Sequence, residues 1–263
     1  MSEPIRVLIL GTGQMGSGIA RLGLEKPRLA LAGIFARRPE RAGRDAGPLI
    51  GAGQDIGVTI ANDLTRAVRD SKAQVAIQAT CSRVAEAFDE IAELLQQGVN
   101  VISIAEEMAW PAAASPALSD RLDRLAIEQG VSLVGTGINP GFMLDLLPIV
   151  LSGACAEVFS IRAERINDLS PYGPSVLRTQ GVGLTPAQFD AGLNDGTVFG
   201  HFGFPESLHM IAAALGWEIE RIEQSREPIV SRVPRRTPFA TVEPGQVAGC
   251  RHTAVAWSGG RPV

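Results

Sequence analysis

Two carboxylates stand side by side in Ile102-Ser-Ile-Ala105-Glu106-Glu107-Met108, just where an apolar run suited to a buried strand gives out. A carboxylate at the end of such a strand is costly to desolvate without a task. Trp110 and Pro111 follow at once, so an apolar wall stands close by, a setting that suits general acid–base work. Glu106 is one residue nearer the strand end and is expected to point into a cleft as the catalytic group. For both residues the plainer reading is a pair of carboxylates at the positive entry end of a helix, and it weighs more heavily on Glu107, whose alternative is a substrate contact.

A second set of residues lies near the start. Gly11-Thr-Gly13-Gln14-Met15-Gly16 follows the apolar run Ile5–Leu10 and opens a helical pattern over Gln14–Leu24. With 29 glycines in the chain the spacing alone is weak, but strand, turn and helix are the context this motif requires. Gly11 permits the tight turn, Gly13 lets the backbone approach a pyrophosphate, and Gly16 lets helix and sheet pack closely. The helix entry at Gln14 and Met15 offers amide donors to phosphates. About 20 positions on, NAD-selective sites carry an acid for the ribose 2′-hydroxyl. Here the chain reads Ala36-Arg37-Arg38-Pro39, with two guanidiniums suited to a 2′-phosphate, so NADP is favoured and NAD comes second. The alternative is that both arginines are solvated loop charges.

The elements that must position these groups alternate. Leu29–Ala36, Val58–Ile60, Gln74–Thr80, Asn100–Ala105 and Val131–Ile138 read as further strands. Between them run helical stripes: Asp63 caps a short helix to Asp70, Arg83–Gln97 closes at Gly98, and Ser115-Pro116 opens a helix that stops at Gly130. The expected fold is α/β, a doubly wound parallel Rossmann sheet with ligands at the carboxyl ends of its strands. That placement puts Ala79 and Thr80 in the cofactor cleft. After Asn139-Pro140-Gly141 the pattern changes. Phe142–Leu151 reads as a helix kinked at Pro148, Glu157–Asn167 as a half-exposed strand, Thr185–Gln188 as a capping box, and Pro205–Leu215 as a helix. Trp217–Gln224 and Gln246–Trp257 look like strands. The expected division is residues 1–140 for dinucleotide binding and 141–263 for an α+β substrate or dimerisation domain. An apolar sheet face beginning at Glu157 points to a homodimer.

Composition excludes several classes. The chain has 263 residues, 45% hydrophobic and 20% charged, with a net charge of -4, so no basic stripe matches a nucleic-acid backbone. Three scattered cysteines and three histidines without H-x-x-x-H spacing give no disulfide framework and no metal site. No apolar run reaches the ~18 residues of a membrane span, so a soluble cytoplasmic protein is expected.

The motifs GTGQMGSGIAR, SIAEEMAWP, GTGINPGFMLD, RINDLSPYG, GVGLT and GHFGFPES together resemble the 2,4-diaminopentanoate dehydrogenase family and the native amine dehydrogenases related to it. These belong to the dihydrodipicolinate-reductase-like group of two-domain enzymes, and the resemblance runs over essentially the whole chain. It implies reversible NAD(P)-dependent deamination of an amine, with reductive amination of a ketone or aldehyde by ammonia as the reverse. The family's catalytic glutamate maps onto Glu106. The N-P-G-F turn implies a cofactor and substrate wall at Asn139 and Phe142, and the aromatic after R-x-N-D implies a pocket role for Tyr172. His201 is a candidate polar substrate contact. Family chains usually run tens of residues longer, with a further strand where this chain stops at Val263, so the expectation is either a removed terminus or a shortened member. Reductases proper carry a G-T-T-G turn where this chain has Ala79-Thr80-Cys81-Ser82. Competing readings are another oxidoreductase on the same scaffold, a non-catalytic NADP sensor, and an interaction module.

Overall fold

The run Ile5–Leu10 forms β1, and its side chains alternate between two covered faces, as a strand buried on both sides requires. Val7 and Ile9 face one apolar cluster with Ala20, Ile34, Ile50 and Ile60. Leu8 and Leu10 face the other, with Ile91, Leu94, Leu95 and Val101. The computed structural model describes residues 3–263, and the chain divides into two compact units, Met1–Phe142 and Met143–Val263.

In the first unit β1 is followed by α1 (Gln14–Leu24), β2 (Leu29–Phe35), α2 (Ala46–Ile50), β3 (Ile60–Ala61), α3 (Leu64–Ser71), β4 (Val75–Gln78), α4 (Val84–Gln96), β5 (Asn100–Ser103), α5 (Pro111–Ala114), α6 (Pro116–Gln129) and β6 (Leu133–Gly135). The strands form one parallel sheet in the order β3-β2-β1-β4-β5-β6. The order reverses between β1 and β4, which opens a crevice outside their carboxyl ends. Asp63 caps α3 by accepting the Arg66 N–H at 2.8 Å. The expected cap at Ser115 does not form: its hydroxyl makes no capping bond, while its N–H closes α5 on the Pro111 carbonyl.

The second unit contains α7 (Leu146–Ser152), α8 (Pro174–Thr179), α9 (Pro186–Asp195), α10 (Phe204–Leu215), β7 (Arg221–Val230), β8 (Arg235–Arg236), β9 (Thr241–Val242), β10 (Val247–Ser258) and β11 (Arg261–Pro262). Antiparallel β11-β10-β7 form its main sheet, β8 and β9 a small ribbon. The capping box at Thr185 and Gln188 is complete on both sides. Two expectations need correction. The helix begins at Leu146 rather than Phe142, so Pro148 falls in its first turn, where no N–H bond is lost and no kink is needed. Residues 157–167 form no strand, because no neighbouring strand among the described residues completes their hydrogen bonds. Ile166 is accordingly 88% exposed.

Candidate active site

The glycine loop crosses the carboxyl end of β1. Gly11 has φ +111°, and a Cβ on it would lie 2.5 Å from the Ala79 carbonyl oxygen, so turn and neighbouring strand end meet backbone to backbone. A Cβ on Gly16 would collide with the carbonyl of Gly11. Gly13 differs: a Cβ there would meet nothing within 4 Å. The space in front of Gly13 is therefore open, and α1 begins there with no side-chain cap and no acid in its first turn. The amides at Gln14 and Met15 keep their attraction for an anion, and the cradle fits the diphosphate of a dinucleotide.

The acidic pair lies along the same sheet edge. After β5 the chain turns through a single 3₁₀ segment, Glu106–Ala109. The turn is fixed from several sides. The Glu107 N–H donates to the Ser82 carbonyl at 3.1 Å and the Met108 N–H to the Ala105 carbonyl at 2.9 Å. From β6, Gly135 lies so close to the Met108 carbonyl that any Cβ would overlap it. Ser103 and Gln78 are register partners on β5 and β4, and both are fully buried. The Ser103 hydroxyl donates to Gln78 Oε1 at 2.6 Å and accepts the Ala105 N–H at 3.2 Å. Gln78 Nε2 donates onward to the Thr80 hydroxyl at 2.8 Å.

The two glutamates part company in this frame. The Glu107 carboxylate accepts the Val84 N–H at 2.7 Å, at the first residue of α4. It is engaged as that helix's N-terminal acceptor. No hydrogen bond or ion pair among the described residues engages the half-buried carboxylate of Glu106.

The arginines after β2 also differ. Arg37 Nε donates to Glu90 Oε1 at 2.6 Å, and Nη2 to the Glu86 carbonyl at 3.0 Å. Glu90 also accepts the Thr80 hydroxyl at 2.5 Å. The Glu90 carboxylate raises Arg37 further above its ordinary pKa. Arg38 is exposed, and Arg41 reaches the glycine loop, where Nη1 donates to the Thr12 carbonyl at 2.9 Å and to its hydroxyl.

In the second unit, Tyr172 is exposed on the turn before α8. The His201 ring meets Phe204 edge-on at 5.0 Å, and Phe204 meets His252 in the same way at 4.8 Å. The His201 backbone N–H donates to His252 Nδ1 at 3.0 Å, which leaves His252 Nε2 to carry the proton facing Gln224 Oε1. Burial, aided by Arg165, pushes the His201 pKa down to about 4. Burial pushes His252 down to about 4 as well, with Arg226 and His201 adding to it. Asp145, fully buried, accepts the Leu146 N–H at 2.6 Å and the Ser207 hydroxyl at 2.7 Å. Phe142, the last residue of the first unit, is exposed.

Residues 142–263 match the 2,4-diaminopentanoate dehydrogenase C-terminal domain, and residues 5–104 match the dihydrodipicolinate reductase N-terminus. Over 257 residues the chain is 42% identical to the 2,4-diaminopentanoate dehydrogenase of Acetoanaerobium sticklandii, covering 94% of this chain and 70% of that protein. The chain belongs to the 2,4-diaminopentanoate dehydrogenase family. An amine dehydrogenase of Streptomyces virginiae is 28% identical over 240 residues, 89% of this chain and 66% of its own length. Among solved structures, the amine dehydrogenase from Mycobacterium smegmatis superposes with a TM-score of 0.80 at 27% identity, over 97% of this chain and 75% of that one.

Membership of the 2,4-diaminopentanoate dehydrogenase family makes this chain an NAD(P)-dependent oxidoreductase of the amine dehydrogenase kind, with its dinucleotide-binding fold in the first unit. Sequence reasoning missed several members of the chain's polar framework, among them Gln78, Ser103, Glu90, Arg41, Asp145 and His252. A glutamine inside the apolar run Val75–Gln78 was a usable signal, because a buried amide needs partners. The others meet their distant partners only through the fold.

Proposed function

We propose that this chain is an NADP(H)-dependent amine dehydrogenase that interconverts a small amine with a ketone or aldehyde plus ammonia, with Glu106 as its acid–base group. The observation that carries the reading is the contrast within the acidic pair. Glu107 is engaged at the start of α4, while the Glu106 carboxylate has no protein partner among the described residues. Glu106 stands on the sheet edge that also bears the glycine cradle, where ligands of such sheets bind.

The roles follow from the chemistry. When bound, the nicotinamide supplies or accepts the hydride. Glu106 holds ammonium, takes its proton so that free ammonia can add to the carbonyl, and returns that proton to the departing hydroxyl. Its negative charge favours the cationic iminium left behind. Gly11, Gly13, Gly16 and the amides of Gln14 and Met15 hold the diphosphate, with Ala79, Thr80 and Asn139 beside it. Phe142 supplies an apolar substrate contact. The exposed Phe159 and Ile166 support a homodimer formed by the second unit. Free Cys81, Cys155 and Cys250 agree with a reducing, cytoplasmic setting.

The test is NADPH oxidation with a panel of ketones and aldehydes, each with and without ammonium. Ammonium-dependent turnover is expected, and Glu106→Gln should lower it about 10²–10⁴-fold with NADPH affinity retained. Turnover independent of ammonium, or a fully active Glu106→Gln, overturns the reading.

A further inference from the structure

The chain offers three arginines near the end of β2, and the structure gives them different surroundings. Arg37 is the first that the spacing suggests, yet its Nε and Nη2 are already engaged by Glu90 and by the Glu86 carbonyl. The Glu90 side chain is only 11% exposed, so its charge is poorly screened and cancels much of the field of Arg37. An anion brought to Arg37 would meet that carboxylate as well.

Arg41 is placed otherwise. It ends the short 3₁₀ turn Pro39–Arg41 that follows β2, and its side chain reaches back to Thr12, the residue between Gly11 and Gly13. It therefore bridges the two segments that flank the adenosine ribose in this fold, the end of the second strand and the glycine loop. The Thr12 carbonyl and hydroxyl occupy one of its nitrogens and leave the rest of the fork. Among the described residues neither Arg41 nor Arg38 forms an ion pair.

We propose that Arg41, assisted by Arg38, is the residue that selects the 2′-phosphorylated dinucleotide, and that Glu90 withdraws Arg37 from this task. The assignment rests on the reading of this chain as an NADP(H)-preferring dehydrogenase. Arg41 supplies a phosphomonoester dianion with a cation that no carboxylate neutralises. Glu90 makes Arg37 a wall of the cleft, tied through Thr80 to the end of β4.

The test is equilibrium binding, so it needs no turnover. NADPH, NADH and adenosine 2′,5′-bisphosphate are titrated into the wild type, Arg41→Gln, Arg37→Gln and Glu90→Gln, following nicotinamide fluorescence or its displacement. Arg41→Gln keeps a polar amide but removes the charge. It should weaken NADPH and the bisphosphate about tenfold or more and NADH by less than about threefold. Arg37→Gln should change NADPH and NADH to a similar degree, and Glu90→Gln should shift selectivity further towards NADPH as Arg37 is released. Equal loss of both cofactors in Arg41→Gln, or NADPH-selective loss in Arg37→Gln of the same size, overturns the assignment. A wild type that binds NADPH no better than NADH defeats the underlying cofactor preference instead, and the assignment with it. Retained melting temperature in Arg41→Gln separates lost recognition from a collapsed loop.

Discussion

The hydroxyl of Ser103 donates to Gln78 Oε1 at 2.6 Å between two side chains that solvent does not reach. The bond joins β4 to β5 one step before the turn that carries Glu106, and its donors all point the same way. Ala105 N–H gives to Ser103, Ser103 to Gln78, Gln78 to Thr80, and Thr80 to Glu90. Such a chain is strong when complete and expensive when broken, because each orphaned group stays buried.

Ser103→Ala should therefore destabilise the first unit by about 1–3 kcal/mol, the usual penalty for leaving buried partners unsatisfied. Pairing it with Gln78→Leu should cost less than the sum of the two single changes. Denaturant titrations of the two single variants and the double variant measure this directly. Additive losses would show that the two side chains do not act as a unit.

The glycines of the phosphate loop should separate into two kinds. Gly13→Ala meets open space, so its melting temperature should stay near that of the wild type while dinucleotide binding drops sharply. Gly16→Ala places a methyl against the Gly11 carbonyl and should lower stability before any ligand is added. Differential scanning calorimetry with and without NADPH distinguishes the two. A Gly13→Ala protein that binds normally would remove the diphosphate from this loop.

Glu107 should behave as a structural residue. Glu107→Ala removes the acceptor of the Val84 N–H and should cost about 0.5–2 kcal/mol, as loss of a helix cap does. Glu107→Gln keeps an acceptor and should retain activity within about tenfold, against the far larger loss expected for Glu106→Gln. Reversed kinetics, with Glu107→Gln inactive and Glu106→Gln active, would move the acid–base role one residue along.

The histidine pair predicts how the second unit responds to acid. His201 and His252 both titrate near 4 in the folded chain, well below the ordinary 6.5. Between those values the unfolded chain takes up protons that the folded chain refuses, so their contribution is complete above pH 6.5 and declines steadily towards pH 4. The cations Arg165 and Arg226 beside them act in the same direction. The melting temperature should fall between pH 7 and pH 5, and His201→Phe should flatten that slope. An unchanged slope would mean that the imidazole is not held neutral by the fold.

The readable parts of the chain were those whose signals are local. β1, the glycine loop, the cap at Asp63 and the capping box at Thr185 each depend on residues a few positions apart, and the structure has all of them. Residues 157–167 show the opposite case. Their alternation fits a strand, yet strand formation depends on a partner elsewhere, and the fold supplies none among the described residues. Arg37 shows a related limit: its ion-pair partner Glu90, on α4, lies 53 positions away, and only the fold brings the two together. Pro148 was misjudged by a shift in where its helix begins, a boundary that Asp145 decides through its bond to the Leu146 N–H.

Gly135 gives the chain a hidden point of fragility. Its α-hydrogen occupies the only space left beneath the Met108 carbonyl, so any larger residue must lift the turn that bears Glu106. In a saturation library scored by turnover, position 135 will tolerate glycine alone and will look like an active-site position. Attempts to widen the range of amines by laboratory evolution therefore do better to keep this position fixed and spend their diversity on side chains that face the substrate.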